Sequence, residues 1–159
     1  MTTLPDHGAP VNGVNFSHDG RLLATAGADN VARIWTIDGE NVQPVTILRG
    51  HSSVVWDAVF SPDDATVATI GFDEAVKLWD VATGVELVTL PGEANNGREV
   101  AFSPDGVYLA VTTGIGLTRL YVIPIDELLA VAESRVTRSL SDQECRQYLH
   151  LEQGCGTGE

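Results

Sequence analysis

The sequence predicts an all-β fold, a partial and open propeller of three blades followed by a short C-terminal helical tail. Three observations predict it. One phrase occurs three times, as Val14-Asn15-Phe16-Ser17-His18-Asp19-Gly20, Ala58-Val59-Phe60-Ser61-Pro62-Asp63-Asp64 and Val100-Ala101-Phe102-Ser103-Pro104-Asp105-Gly106. Its copies lie 44 residues apart from Phe16 to Phe60 and 42 apart from Phe60 to Phe102, inside the ~40–45-residue period at which each unit is one four-stranded blade. The pattern then stops, and three blades fall short of the ~4–8 that close a ring. The same offsets carry Leu4 to Leu48 to Leu90, His7 to His51, and Trp35 to Trp79 to Tyr121.

Within each unit, clusters of β-forming residues such as Leu22-Leu23-Ala24-Thr25, Val31-Ala32-Arg33-Ile34-Trp35 and Val76-Lys77-Leu78-Trp79 are separated by Asp-Gly, Pro-Asp-Asp and Thr-Gly steps, the alternation of strand and turn. The first unit predicts strands near 11–17, 21–27, 31–36 and 43–48, and the second near 54–60, 65–71, 75–80 and 85–90. The third predicts 98–103, 107–113 and 117–123, after which Pro124 leads into a helical pattern instead of a fourth strand. Ile125, Leu129, Ala132, Val136 and Leu140 step by four, three, four and four, with Asp126 as N-cap. Ser141-Asp142-Gln143-Glu144 forms a capping box opening a second short helix, on which Cys145, Tyr148 and Leu149 share a face. The expected organisation is three repeats over 1–124 (about 1–48, 49–90 and 91–124), two short helices over 125–150, and a disordered end over 151–159.

Composition narrows the function classes. The chain has 159 residues, 43% of them hydrophobic and 19% charged, as expected of a globular domain with a real core. Its formal charge of −13, with nine Lys and Arg spread along the whole length, argues against nucleic acid or an anionic membrane as partner, because both are held by clustered cations. No stretch approaches the ~18 apolar residues of a membrane span, and the N-terminus lacks the pattern of a signal segment. Both cysteines, Cys145 and Cys155, sit in the tail, so the repeats rest on packing and hydrogen bonds, and a cytoplasmic location is expected.

Gly50-His51, the Ser-Pro-Asp turn, Asp73, and Trp79-Asp80 at the close of the third strand resemble the WD-repeat propeller family over about residues 2–123, most completely in the second unit. The resemblance implies a hydrogen-bonded network within a blade, falling on His51, Thr69, Asp73 and Trp79 in the second unit and on His7, Thr25, Asp29 and Trp35 in the first. These types suit the task. An imidazole can bridge a carboxylate and a hydroxyl while the hydroxyl takes the indole N–H, leaving no buried polar group unpaired. The third unit departs from the pattern, with Glu93, Val111, Ile115 and Tyr121 at the four positions. Thr2-Thr3-Leu4 aligns with the end of an outer strand, and the last unit lacks one, so the chain reads as the C-terminal part of a longer propeller. The tail, from Leu128 to Leu149, resembles the segment after the propeller in large bacterial signalling and regulatory proteins that carry a nucleotide-switch ATPase.

His51, Asp73 and Thr69 are also the residue types of a hydrolase triad, but they occupy repeat positions and recur as His7, Asp29 and Thr25, whereas a triad is needed once. Cys145, His150, Glu152 and Cys155 lack the paired spacing of a metal site, and the glycines at Gly114-Ile115-Gly116 and in 154–158 are not followed by a helix that could hold a phosphate. No cofactor, metal or catalytic residue is expected.

The resemblance places partners on the loops entering each first strand and preceding each third strand. The positions are Pro10, Asn12 and Ala28; Val54, Trp56 and Phe72; and Asn96, Arg98 and Gly114. Trp56, Phe72 and Arg98, with Val54 and Asn12, are the candidate contact residues, being rich in the types that dominate interface energetics; the competing reading of Trp56 and Phe72 is packing against a neighbouring blade. The expected function is a protein–protein interaction scaffold that binds a protein or peptide as the docking or sensing end of a larger bacterial regulator. The alternative is a split subunit of a nucleotide-switch ATPase, active only with a partner chain. Self-association through open blade edges is a further expectation.

Overall fold

The computed structural model describes residues 4, 7–90 and 97–123. The described residues all lie in one unit of the chain, residues 1–125. The helices expected over 125–150 and the end over 151–159 lie outside them, as does Asn96.

Among the described residues, eleven strands form three antiparallel sheets. Blade 1 holds β1 (Val11–Phe16), β2 (Leu22–Gly27), β3 (Val31–Asp38) and β4 (Asn41–Arg49) in that order. Blade 2 holds β5 (Val55–Phe60), β6 (Thr66–Gly71), β7 (Val76–Asp80) and β8 (Glu86–Leu90), and blade 3 holds β9 (Val100–Phe102), β10 (Tyr108–Thr112) and β11 (Thr118–Val122). The architecture is the open three-blade propeller. The expected strand limits hold within about two residues. In blade 1 the β3–β4 hairpin runs on to pair Asp38 with Asn41, because Gly39, at φ +60, closes a tighter turn than the longer loop expected from the sequence.

Each hairpin from first to second strand is built by the same three-residue device. The Ser17, Ser61 and Ser103 hydroxyls donate to Asp19, Asp63 and Asp105 at 2.7, 2.6 and 2.5 Å. The same hydroxyls accept the backbone N–H of Leu22, Thr66 and Tyr108 at 2.8, 2.9 and 2.9 Å. A side chain that satisfies the turn this way competes successfully with solvent for the backbone groups.

Paired strands put aligned residues on one face. In blade 2, Ala58, Phe60, Val67 and Trp79 share what we term the leading face, and Ala68, Ile70, Val76 and Leu78 share the trailing face. The core lies where the trailing face of one blade meets the leading face of the next. Ala24, Ala26, Ala32, Ile34 and Leu48 of blade 1 pack on Val55, Ala58, Phe60, Val67, Trp79 and Val81 of blade 2. Small alanines on one side accept the Phe60 and Trp79 rings on the other, and burying each large side chain contributes about 1.5–3 kcal/mol. Blade 3 repeats the arrangement with Val100, Leu109 and Val111, all buried, its β9 lying on β5 and β6.

Candidate interaction surface

His51 precedes β5, Thr69 lies in β6, Asp73 in the β6–β7 turn and Trp79 in β7. His51 Nδ1 sits 2.9 Å from Asp73 Oδ1 and its Nε2 2.7 Å from Thr69 Oγ1, which accepts the Trp79 indole N–H at 2.8 Å. Asp73 also accepts the Ser52 backbone N–H at 2.8 Å. Burial pushes the His51 imidazole below its ordinary pKa, against the pull of Asp73. Burial works against ionisation of Asp73 as well, but the hydrogen bonds from His51 and the Ser52 N–H prevail and hold its carboxyl below the usual range.

Blade 1 carries the same network, with His7 Nδ1 2.8 Å from Asp29, His7 Nε2 2.8 Å from Thr25 Oγ1, and the Trp35 indole donating to Thr25 at 2.9 Å. Arg33 joins it, donating to Asp29 at 2.7 Å and lying against His7. Thr69 and Thr25 are 0% and 4% exposed, so neither hydroxyl can meet a substrate, and both already share the indole proton. The pairing of base, orienter and hydroxyl is therefore a clasp between loop and strands. In blade 3, Val111 stands where the threonine would be and packs as core. Among the described residues no group of three or more His, Cys, Asp or Glu is arranged for a metal ion; Cys145, His150, Glu152 and Cys155 lie outside them.

Trp56 reaches the surface through a β-bulge. In β5, Val55 pairs with Gly71 and Asp57 with Ile70, leaving Trp56 as the extra residue, and in β1 the same irregularity isolates Asn12 between Val11 and Gly13. A bulge bends the strand and re-aims the inserted side chain. The Trp56 ring meets Phe72 edge-on at 6.4 Å between centroids, and the Arg98 guanidinium sits 4.9 Å above its face. Phe72 is 51% exposed, held by its N–H to the Val54 carbonyl at 2.7 Å. Among the described residues the Trp56 indole N–H has no hydrogen-bond partner although the atom is shielded from solvent. Beside it lies a cleft of about 520 Å³ bordered by Asn12, Trp56, Asp57, Arg98 and Glu99.

Trp56, Phe72 and Arg98 thus come together, with the Val54 carbonyl accepting the Phe72 N–H. Asn12 borders the same cleft as Trp56 and Arg98, where its amide donates to the Val55 carbonyl at 2.9 Å, tying blade 1 to blade 2. Pro10, Ala28 and Gly114 carry no comparable cluster.

Asp57 is a residue that the repeat pattern does not single out. Its Oδ1 accepts from Asn15 Nδ2 and the Ala58 N–H at 2.8 and 2.9 Å, and its Oδ2 lies 3.5 Å from the Val100 N–H, so one carboxylate touches all three blades. Burial pushes its carboxyl up despite these bonds. Asp64 ties the opposite end, accepting the backbone N–H groups of His18 and Asp19 at 2.8 and 3.0 Å.

Comparison with known proteins adds to this geometry. The family "WD domain, G-beta repeat" matches residues 1–36 and 42–80. The anaphase-promoting complex subunit cdc20 of Dictyostelium discoideum is 39% identical over 56 residues, 35% of this chain and 11% of that protein. The SEC13 homolog of the same organism is 38% identical over 50 residues, 31% of this chain and 17% of its own length. An uncharacterized WD repeat-containing protein of Synechocystis is 45% identical over 38 residues, 24% of this chain and 11% of that one. The matches therefore cover under a fifth of each relative's length.

Proposed function

Because the chain carries repeats of the WD, G-beta type in two of its three blades, we propose that it is a protein-interaction scaffold whose docking point is the Trp56, Phe72 and Arg98 cluster. The observation that carries this reading is the bulge that turns Trp56 out of the strand ladder and sets its ring against the exposed Phe72 and beneath Arg98. A protein or peptide that offers an apolar side chain beside a carboxylate would bury the exposed Phe72 ring and pair with Arg98. Aromatic and arginine side chains clustered this way carry most of the energy in known interfaces.

The setting we propose is a larger bacterial regulatory assembly, for which the docking or sensing surface is this propeller. The resemblance of the tail between residues 128 and 149 supports the bacterial setting, and a Dictyostelium relative named as a subunit of a larger complex supports only membership of an assembly.

A photo-crosslinking residue installed at Phe72, and separately at Asp63 in the turn between β5 and β6, tests the surface in cells of the source organism. One discrete adduct is expected from position 72 alone, lost when Trp56→Ala is added to the same chain. Equal adducts from both positions, or an adduct at 72 that survives Trp56→Ala, would refute it.

A further inference from the structure

We propose that Asp57 is the positioning residue of the Trp56 and Arg98 cluster: its carboxylate joins the first strands of the three blades and, while ionised, holds Arg98 over the Trp56 ring. The proposal rests on the reading of that cluster as the docking point. The stack crosses a blade boundary, because Trp56 belongs to β5 of blade 2 and Arg98 to the entry of β9 in blade 3. Its geometry therefore depends on what holds those two strands together. Within blade 3 the Arg98 and Glu99 N–H groups donate to Thr112 Oγ1 at 3.3 and 3.0 Å, so the entry to β9 is tied to β10. From that entry the Val100 N–H reaches across to Asp57 Oδ2.

Asp57 is seated for this task. It follows Trp56 directly in the chain, so whatever it fixes lies one residue from the ring. Its Oδ1 accepts from Asn15 Nδ2 at 2.8 Å, and the same Asn15 amide donates to the Ala58 carbonyl at 3.0 Å. Blade 1 makes room for the carboxylate. A Cβ on Gly13 would stand 2.9 Å from Asp57 Oδ1 and 2.8 Å from the Trp56 carbonyl oxygen. The repeat puts Gly13, Asp57 and Glu99 at one position, so the glycine of blade 1 leaves the space that the carboxylate of blade 2 fills.

The charges around the carboxylate make its ionisation the control. Arg98 and Glu99 of blade 3 line the same cleft, where blade 1 offers the neutral Asn12 and Asn15. His18, paired with Asp64, borders a second groove that Asp57 also lines. The strands β1, β2, β5, β6 and β9 bring no other charged side chain, and Arg33 of β3 is engaged by Asp29. Burial, with the like charge of Glu99, pushes the Asp57 carboxyl up, so it takes a proton from solvent before an exposed aspartate does. Oδ1 already serves two donors, so the proton goes to Oδ2, which turns from acceptor to donor toward the Val100 N–H. A hydrogen bond to an ionised acceptor is the strong kind, and here it is lost outright. The tie from blade 2 to Val100 opens, and Arg98 leaves the Trp56 ring.

The test needs no partner. The full chain, its three tryptophans labelled as fluorotryptophan, is titrated from about pH 8 to about pH 4 and followed by fluorine NMR, with Trp56→Phe assigning the Trp56 signal. That signal is expected to shift through one transition whose midpoint lies above the ordinary 3.8 of an aspartate. Asp57→Asn, which sets an amide N–H against Val100 as the protonated acid sets its hydroxyl, should remove the transition and hold the signal at its acid position throughout. Unmoved Trp35 and Trp79 signals at neutral pH show that this variant is folded. Glu99→Gln keeps the transition and lowers its midpoint, because a like charge is gone, and Arg98→Ala removes most of the shift. A Trp56 signal that stays still in the wild type, a transition that survives Asp57→Asn, or one of full size in Arg98→Ala would overturn the proposal. Should Asp57→Asn fail to fold, the wild-type, Glu99→Gln and Arg98→Ala titrations decide it. Failure here leaves the docking reading standing, and failure of the crosslinking test leaves this joint standing.

Discussion

Thr69 Oγ1 is the atom through which the blade 2 clasp is connected, since it meets both His51 Nε2 and the Trp79 indole. Thr69→Val keeps the shape and removes the hydroxyl, orphaning a buried ring nitrogen and a buried N–H. At about 1–3 kcal/mol for each orphaned group, the expected loss is about 2–6 kcal/mol, read as a lower urea midpoint at unchanged slope. The clasp also fixes a pH dependence. Burial lowers the His51 pKa in the folded state below its ordinary 6.5, so the unfolded chain takes up the proton first and stability falls as pH drops through that value. Asp73 faces His51 with a lowered carboxyl pKa, so its contribution holds until the pH falls below the usual carboxylate range. Asp57 has the opposite sign: its raised pKa means a contribution present in acid and lost as pH rises through the folded value. Urea midpoints from about pH 8 to about pH 5 should begin to decline near the ordinary histidine value, and a flat series would remove His51 from the account.

The backbone of each turn repeats as faithfully as the side chains. Asn30, Glu74 and Gly116 occupy one aligned position with φ of +70, +63 and +81, the left-handed region where asparagine and glycine are at ease and glutamate is strained. Glu74→Asn is therefore expected to stabilise the chain by about 0.5–1 kcal/mol, measured by thermal unfolding. Gly71 shows the reverse constraint, because a Cβ there would collide with the Asp73 carboxylate and the His51 ring. Gly71→Ala should therefore cost about 2 kcal/mol or more by breaking the clasp. What repeats at this scale is legible in the amino-acid sequence. Strand limits and the Ser-x-Asp turns recur at offsets of 44 and 42 residues, and the four clasp residues at 44, so each occurrence supports the others. What occurs once is not legible there. The bond from Asn15 to Asp57 and that from His18 to Asp64 span 42 and 46 residues, and Gly13 and Gly20 stand at the matching places in blade 1. The bulge that isolates Trp56 follows from backbone pairing, which residue types alone do not fix.

Across the whole described unit, stability is graded from blade 2 outward. The largest buried cluster takes its side chains from blades 1 and 2 alone, and blade 2 is covered on both faces. Blade 3 has three strands where the others have four, and it lacks the clasp. In a stack of repeats each unit is stabilised by its own contacts and those to its neighbours, so a unit poor in both opens at lower free energy than the rest. Hydrogen exchange followed residue by residue should find the amides of β10 and β11 exchanging through a local opening, while those of β6 and β7 exchange only at the global unfolding free energy. Equal protection of all three blades in dilute solution would mean that the Val100, Leu109 and Val111 packing holds blade 3 as firmly as the clasp holds its neighbour.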